Sequence, residues 1–366
     1  MRNKKPTFID LFAGAGGLSL GIEQAGFTPL AAIDWDHWSC ETLRANHKNM
    51  VVHEGDIASV DVEEFSKQIG ARTADLIVGG PPCQGFSQLG KHKKNDPRNQ
   101  MWREYMRFVA FFKPKMFLME NVPQLLTSDA FPRMKKMAEE LGYEVREKVL
   151  HAVEYGVPQK RKRAIILGSR IGEPKHPDPT HTDPVNCNAL KGRLKLWATV
   201  KDAIGDLSLE PTGKDWHIGR NPTPTSLKRY QLIPPGGNRF DLPWALTPDC
   251  WKRKKTGSTD VFGRLKWDAP SLTIRTEFFK PEKGCYLHPQ AHRPLTIREG
   301  ARLQMFPDDY VFVGSNVQVA KQIGNAVPCN LAYMAGKELL QLLNSSAYSV
   351  QNETVDRLAS LQGQLA

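Results

Sequence analysis

Residues Phe8-Ile9-Asp10-Leu11-Phe12-Ala13-Gly14-Ala15-Gly16-Gly17 place a short apolar run directly before a glycine-rich turn. The run predicts a buried parallel strand, and the apolar residues that recur at helical spacing from Leu18 to Ala25 predict a helix after the turn. Such a unit brings backbone N–H groups and a helix N-terminus up to a ligand, and a Cβ in the turn would block close approach. Nucleotide, flavin and many other sites share this pattern, so the turn alone leaves the ligand open.

Acidic residues end the next two predicted strands. Residues 30–33 form the second strand, and Asp34-Trp35 follows it about 20 residues past the glycines, where an acid can hydrogen-bond ribose hydroxyls. The third strand, at residues 51–57, carries Asp56 near its end. Asp56 either contacts the same ligand or caps the start of a helix.

A cysteine lies on the next turn. The stretch Gly79-Gly80-Pro81-Pro82-Cys83-Gln84-Gly85-Phe86-Ser87 follows a predicted strand at residues 74–78. Open α/β sheets place reactive groups at the carboxyl ends of their strands, and a cysteine sulfur is nucleophilic as its thiolate. The alternative is a small residue that simply packs near a strand end.

Two further charged groups follow later strands. Glu120 lies after the strand at residues 115–119, at the same level as Cys83. Gln159-Lys160-Arg161-Lys162-Arg163 leads into the strand at residues 164–168, and its alternation puts Arg161 and Arg163 on one face. The two arginines belong either to a site or to a solvated basic edge. Strands and helices alternate throughout this half, which predicts an α/β fold with a doubly wound, largely parallel sheet.

The amino-acid composition of the chain changes near Gly172. Thirteen of the 26 prolines lie between His176 and Pro289, and the residues from Val185 to Lys283 carry 18 Lys/Arg against 10 Asp/Glu, a net charge of +8. Five of the eight tryptophans lie in the same stretch. We therefore expect a catalytic and cofactor-binding domain at 1–172, a smaller, irregular and mostly β insertion at 173–290, a return to the first domain at 291–344 and a tail at 345–366.

Composition narrows the class of protein. The chain has 366 residues and a formal net charge of +11, which favours a polyanionic partner. Its six cysteines include no C-x-x-C pair, so neither a zinc site nor a disulfide framework is predicted. No apolar run approaches the roughly 20 residues of a membrane span, and no secretory signal is evident. We expect a cytoplasmic protein without a metal site.

The ordered set of motifs resembles the cytosine-C5 DNA methyltransferase family, in particular the bacterial enzymes of type II restriction-modification systems. The resemblance covers nearly all of residues 8–343. Its most specific parts are residues 8–17, 80–87, 120–122, 159–163, 298–307 and 322–327. It implies a Rossmann-like class I methyltransferase sheet, with the insertion as a target-recognition domain.

The resemblance also implies catalytic roles. The Cys83 thiolate adds to C6 of cytosine, and Glu120, protonated or sharing a proton, hydrogen-bonds N3 and the exocyclic N4. Arg163 holds O2, and Arg161 supports the Cys83 loop or a neighbouring phosphate. The target base lies outside the duplex stack during the reaction, because it cannot be reached within it.

The implied cofactor is S-adenosyl-L-methionine. The resemblance puts Phe12 against the adenine, Asp34 on the ribose, Trp35 beside it and Asp56 on the adenine amino group. The methionine end is lined by Gly14, Gly16 and Gly17, and Pro82 and Asn325 complete the pocket. Many family members have Glu at the position of Asp34, which is one methylene shorter and keeps the charge.

Double-stranded DNA is the implied partner. Gln84, Ser87 and Arg98 are expected to close over the DNA, with Lys91, Lys93 and Lys94 on phosphates; the alternative is a merely solvated loop. Within the insertion the candidates for reading bases are Arg239, Arg264 and Arg275, together with residues 252–255 and Lys280. The same motif set leaves open an RNA cytosine methyltransferase acting on transfer RNA and a non-catalytic DNA-binding relative. A nicotinamide-dependent oxidoreductase would leave Cys83 and Glu120 unexplained. We expect a monomer without an obligate protein partner.

Overall fold

A seven-stranded sheet forms the centre of the protein in the computed structural model, which describes residues 5–82, 101–185, 194–253 and 260–363. The strands of this half of the chain are β1 (Thr7–Leu11), β2 (Thr28–Asp34), β3 (Val51–Glu54), β4 (Leu76–Gly79), β5 (Met116–Asn121), β6 (Glu144–His151), β7 (Gln159–Lys160) and β8 (Lys162–Ser169). All except β7 belong to the sheet, in the order β3-β2-β1-β4-β5-β8-β6.

The sheet is doubly wound, as the sequence predicts. Strands β1 to β5 pair in parallel, and β8 is antiparallel to both of its neighbours, β5 and β6. The strand order reverses between β1 and β4, and ligands of open α/β sheets bind at such a switch point. The glycine turn leaves β1 here, and Gly80-Pro81-Pro82 leaves β4 beside it.

Helices cover both faces of the sheet. The helices are α1 (Gly17–Gln24), α2 (His37–Asn46), α3 (Val62–Gln68), α4 (Met101–Phe112), α5 (Ala130–Glu140), α6 (Val200–Ile204), α7 (Pro224–Leu232), α8 (Asp249–Lys252), α9 (Ile297–Leu303), α10 (Asn316–Asn325) and α11 (Cys329–Gly363). Alternate strand residues enter two apolar clusters: Ile9 and Ile77 pack towards α3, α4 and α5, whereas Phe8 and Val78 pack towards α1 and α11. This alternation explains why β1 and β4 are almost uniformly apolar.

Two helices differ from expectation. Helix α11 continues to Gly363, so most of the tail expected at 345–366 has a helical backbone. Helix α3, which the strand-based interpretation did not include, begins at an Asp61 cap that accepts hydrogen bonds from two backbone N–H groups. Among the described residues no helix is long and apolar enough to cross a membrane.

The described part of the insertion (173–185, 194–253 and 260–290) is irregular, and the expectation that it is mostly β was wrong because helical residues outnumber strand residues there. Its strands are two or three residues long: β9 (His181–Thr182), β10 (Lys195–Leu196), β11 (Gly263–Arg264), β12 (Ser271–Leu272) and β13 (Cys285–Leu287). Helices α6, α7 and α8 supply the longer elements, because frequent prolines remove the donors that a longer ladder needs. Tyr230, Leu242 and Phe262 belong to a small cluster within the insertion, whereas Ile274 and Phe278 share a core with α9 and α10.

Candidate active site

The chain after β4 is held close to β5. Gly79 is required here because a Cβ would lie 2.2 Å from the carbonyl oxygen of Leu11. The side chain of Asn121, 5 % exposed, donates a 2.8 Å hydrogen bond to the carbonyl oxygen of Pro81. Pro82 is the last described residue before a gap. The predicted Cys83, Gln84, Ser87 and Arg98, with Lys91, Lys93 and Lys94, lie outside the described residues.

Glu120 and Arg163 form an ion pair at this edge of the sheet. The Nε of Arg163 lies 2.6 Å from Oε1 of Glu120, and both side chains are largely buried. They meet because Glu120 pairs with Ile165 across β5 and β8, which makes Arg163 its diagonal neighbour on the same face. The Oε2 of Glu120 faces Gly80, whose Cβ position lies 3.1 Å away. The pair therefore borders the segment that leads to Cys83.

Arg163 makes a second contact besides its ion pair with Glu120. Arg163 also donates to the carbonyl oxygen of Lys162 at 2.7 Å, so it is held from two sides.

Arg161 is not presented to solvent. Its side chain is 2 % exposed, and Nη1 donates to the carbonyl oxygens of Ile274 and Gly324 at 3.2 and 3.3 Å. Arg161 lies between β7 and β8, outside both strands, so it does not share a strand face with Arg163 as expected, and the insertion and α10 cover it. The two roles expected of Arg161, support of the Cys83 loop or contact with a neighbouring phosphate, stay predictions.

The glycine turn has three different requirements. Gly14 adopts φ +54° and has no atom within 4 Å of its Cβ position, so space is open beside it. At Gly16 a Cβ would meet the side chains of Leu43 and Tyr310. At Gly17 a Cβ would lie 2.5 Å from the carbonyl oxygen of Val327, which follows α10 in the chain. The last two glycines are thus required by packing within the protein, where sequence reasoning expected close approach of a ligand.

Phe12 and Asp34 frame that open space. Phe12 has φ 61°, a left-handed conformation that is rare for a bulky side chain and typical of functional sites. Asp34, 9 % exposed, accepts hydrogen bonds from the backbone N–H groups of Gly14 at 2.7 Å and Asp36 at 2.8 Å. Burial raises the pKa of Asp34, and those two hydrogen bonds oppose the rise. Asp34 therefore holds the glycine turn against the end of β2.

The other predicted cofactor residues lie around the same edge. Trp35 is 77 % exposed, with the Lys321 ammonium 5.9 Å from its ring. Asp56 is exposed and accepts a hydrogen bond from Ala58 N–H at 3.0 Å, so its alternative role as a cap is confirmed. Asn325 is exposed at the last position of α10.

Asp10 is a residue that the sequence interpretation passed over. It is fully buried under α1, where Oδ2 accepts a 2.5 Å hydrogen bond from Ser19, and Oδ1 has no partner among the described residues. Burial raises the pKa of Asp10 to about 7, with the Ser19 hydrogen bond acting against it. The sequence does contain a signal for this residue, because Asp10 is a single acid within a predicted apolar strand.

Asp10 predicts a pH dependence of stability. Its pKa is higher in the folded protein than the ordinary 3.8, so its contribution is greatest below about pH 4 and is lost as the pH rises through 7. Between about pH 5 and pH 8 the wild type should therefore lose free energy of unfolding that Asp10→Asn keeps. We expect the loss in the wild type to exceed that in Asp10→Asn by about 2 kcal/mol. Urea unfolding at several pH values measures this, and parallel curves for the two proteins would contradict it.

The three arginines predicted to read bases differ in the structure. Arg264 is 2 % exposed and donates to the carbonyl oxygens of Ile233, Tyr230, His288 and Ala291. Arg239 is 7 % exposed, with its guanidinium carbon 4.6 Å from the ring centroid of Phe240. Burial contradicts base reading by these two residues as the insertion is folded here. Arg275 is 43 % exposed and paired with Asp260 at 3.0 Å, so it stays a candidate.

Arg264 is instead expected to stabilise the insertion. Arg264→Met leaves four carbonyl oxygens without their donor, and each unsatisfied group costs about 1–3 kcal/mol. We expect the free energy of unfolding to fall by about 3 kcal/mol or more, measured by urea titration of tryptophan fluorescence. Arg275→Met is the matched control, since loss of a half-exposed ion pair costs about 0–1 kcal/mol. Equal losses in the two variants would contradict the assignment.

The doubly wound sheet, with its glycine turn at the switch point, defines a Rossmann-like methyltransferase fold. A solved structure of an Escherichia coli prophage protein described as a DNA modification methyltransferase is similar, with a TM-score of 0.67, 26% identity and coverage of 93% of this chain and 99% of that one. The Dnmt2 methyltransferase of S. pombe shares the fold with a TM-score of 0.64 at 20% identity, covering 93% and 100% of the two chains.

Sequence comparison identifies the family within that fold. The family model described as C-5 cytosine-specific DNA methylase matches residues 6–341, so the chain belongs to this family of DNA cytosine-5-methyltransferases. The type II methyltransferase M.PspPI of Psychrobacter sp. (strain TA137) is 38% identical, over 94% of this chain and 81% of that protein. M1.HphI of Haemophilus parahaemolyticus, also a type II methyltransferase, is 35% identical over 92% and 87%.

Proposed function

We propose that this enzyme transfers a methyl group from S-adenosyl-L-methionine to C5 of a flipped cytosine within a short, specific sequence of duplex DNA. The observation that carries the proposal is the buried Glu120–Arg163 pair beside Gly80, in a chain that belongs to the C-5 cytosine-specific family. One acid and one base-recognising cation lie where the segment bearing Cys83 begins.

The proposed chemistry starts at Cys83. Its thiolate forms a bond to C6 of cytosine, which makes C5 nucleophilic. Glu120 hydrogen-bonds N3 and N4 and shares a proton with the ring, which limits the negative charge that develops there. Arg163 donates to O2. After C5 has been methylated it loses its proton to a water or hydroxide, and the electron pair of that C–H bond expels the Cys83 thiolate from C6.

The residues at the switch point fit the proposed cofactor. Open space beside Gly14, the strained Phe12, the acid Asp34 and the exposed Trp35 ring together suit a nucleoside with a charged chain. S-adenosyl-L-methionine, when bound, supplies the methyl group as a sulfonium. Phe12 would pack on the adenine and Asp34 would accept from the ribose hydroxyls. Further roles are proposed for Gly16, Gly17, Asp56, Pro82 and Asn325.

The proposed contacts to DNA come from two regions of the chain, the segment after Cys83 and the insertion. Gln84, Ser87 and Arg98 are proposed to close over the flipped base, and Arg275 to read or position the duplex from the insertion. The basic insertion supports duplex DNA as the partner because phosphate contacts need clustered Lys and Arg. A monomer is proposed, since the site needs residues of one chain alone.

A modification role in a restriction-modification system is also proposed, because the similar proteins named above are type II methyltransferases. A genome that encodes no cognate endonuclease near this chain would count against that role. The methyltransferase activity itself would be unaffected by such a finding.

The decisive test maps 5-methylcytosine at base resolution in DNA from cells that express the chain, with Cys83→Ala as control. We expect methylation at one short motif with the wild type and none with the variant. Labelled methyl groups on RNA and none on DNA would overturn duplex DNA as the substrate. Cofactor binding without turnover on either nucleic acid would favour a non-catalytic DNA-binding protein.

A further inference from the structure

A buried polar junction joins the motif before β8 to the insertion and to α10. Arg161 donates through Nη1 to Ile274 in the insertion and to Gly324 near the end of α10, at 3.2 and 3.3 Å. The guanidinium is 2 % exposed, and burial lowers the pKa of Arg161. Its buried Nε has no hydrogen-bond partner among the described residues, so the two carbonyl oxygens carry the compensation that the printed hydrogen bonds give this charge.

Two glutamines extend the same junction. Gln159 accepts from the backbone N–H of Ile274 at 2.9 Å and donates to Oε1 of Gln304 at 2.9 Å. Gln304 in turn donates to the carbonyl oxygens of Ile323 and Ala326, at 2.6 and 3.3 Å. Both glutamine side chains are fully buried. The buried hydrogen bonds of the two glutamines favour one relative arrangement of the segments that they join.

The insertion also packs directly on α10. A Cβ at Gly324 would lie 2.4 Å from backbone atoms of Arg275 and Thr276, so the two backbones are in contact. Arg275 is the exposed candidate for DNA contact, and it follows Ile274 in the chain. Asn325 is the candidate for cofactor contact, and it follows Gly324. Each ligand-facing residue is therefore one residue away from a carbonyl that Arg161 holds.

We propose that Arg161 is a positioning residue through which DNA on the insertion and cofactor at the end of α10 strengthen each other's binding. The proposal rests on the proposed function and names the residue that couples its two ligands. A shift of residues 274–276 on DNA binding moves Gly324, because backbone contact and a shared guanidinium link them. Such coupling is reciprocal: DNA changes cofactor affinity by the factor by which cofactor changes DNA affinity.

The experiment measures the affinity of S-adenosyl-L-homocysteine by calorimetry, with and without a saturating duplex that carries the mapped site. In the wild type we expect DNA to raise this affinity about fivefold or more, within the usual range of coupling. Arg161→Lys, whose side chain ends one bond short of the Nη1 that contacts both carbonyl oxygens, should reduce the factor below about twofold. In the absence of DNA, the affinity of Arg161→Lys for S-adenosyl-L-homocysteine should differ from that of the wild type by less than the wild-type coupling factor.

Arg264→Lys is the matched control. Arg264 is equally buried and donates to four carbonyl oxygens. These belong to Ile233, Tyr230, His288 and Ala291, which lie in or beside the insertion and not in α10. A general loss of stability would affect both variants, whereas loss of coupling should appear in Arg161→Lys alone. If Arg161→Lys does not fold, Gln304→Met, which cuts the links to Ile323 and Ala326, takes its place and should lose coupling as well.

Three results would overturn the proposal: no coupling in a wild type that methylates DNA, full coupling in the folded Arg161→Lys or Gln304→Met variant, or equal loss in Arg264→Lys. Absence of DNA methylation by the wild type would instead reject the proposed function. The two failures are therefore distinguishable.

Discussion

Cys83→Ser is expected to reduce methyl transfer by about 10⁴-fold or more, the scale on which loss of a nucleophile acts. A serine hydroxyl at this position stays protonated at neutral pH, whereas a thiol in an electropositive setting ionises. Single-turnover transfer of labelled methyl groups to a duplex measures the rate. The affinity for the same duplex should stay within about threefold, because the substitution exchanges one atom and leaves phosphate contacts in place.

The other cysteines supply the control. Burial raises the pKa of Cys40 and of Cys285 to about 12, and that of Cys329 above its ordinary range, so these thiols hold little thiolate. Cys250 is exposed and free, and Cys250→Ser should keep the wild-type rate. Turnover that survives Cys83→Ser would remove Cys83 from the mechanism.

Glu120→Gln is expected to lower kcat by about 10²- to 10⁴-fold, the usual contribution of a positioned proton donor or acceptor. The amide keeps the shape of the side chain and can donate to N3, but it cannot share a proton with the ring. It also leaves Arg163 without its anion 2.6 Å away. Single-turnover rates at saturating DNA and cofactor measure the effect on chemistry.

Stability must be measured in parallel, since breaking a buried ion pair costs about 3–5 kcal/mol. Glu147→Gln is the control: Glu147 pairs with Lys135 at 3.1 Å in a partly exposed pair. That variant should turn over normally and lose less than about 1 kcal/mol of unfolding free energy. Near-normal turnover by a folded Glu120→Gln would disprove the proton-sharing role.

Much of the fold was predictable because its strands and helices follow from local sequence patterns. Continuous apolar runs, glycine turns and helical spacing depend on near neighbours in the chain, so they predicted the doubly wound sheet. The capping role of Asp56 was also within reach, as one of two stated alternatives. The insertion was harder, since its short helices lack a long apolar period.

The sequence by itself determined the order of elements, the family and the set of reactive residue types. Only the tertiary structure decided which of three similar arginines in the insertion faces solvent. Arg275 does, whereas Arg264 is buried and donates its hydrogen bonds to carbonyl oxygens. It also paired Glu120 with Arg163 and buried Arg161 between the insertion and α10. The physical reason is that these hydrogen-bond and ion-pair partners come from segments at least 24 residues apart, and no local pattern records which segments will meet.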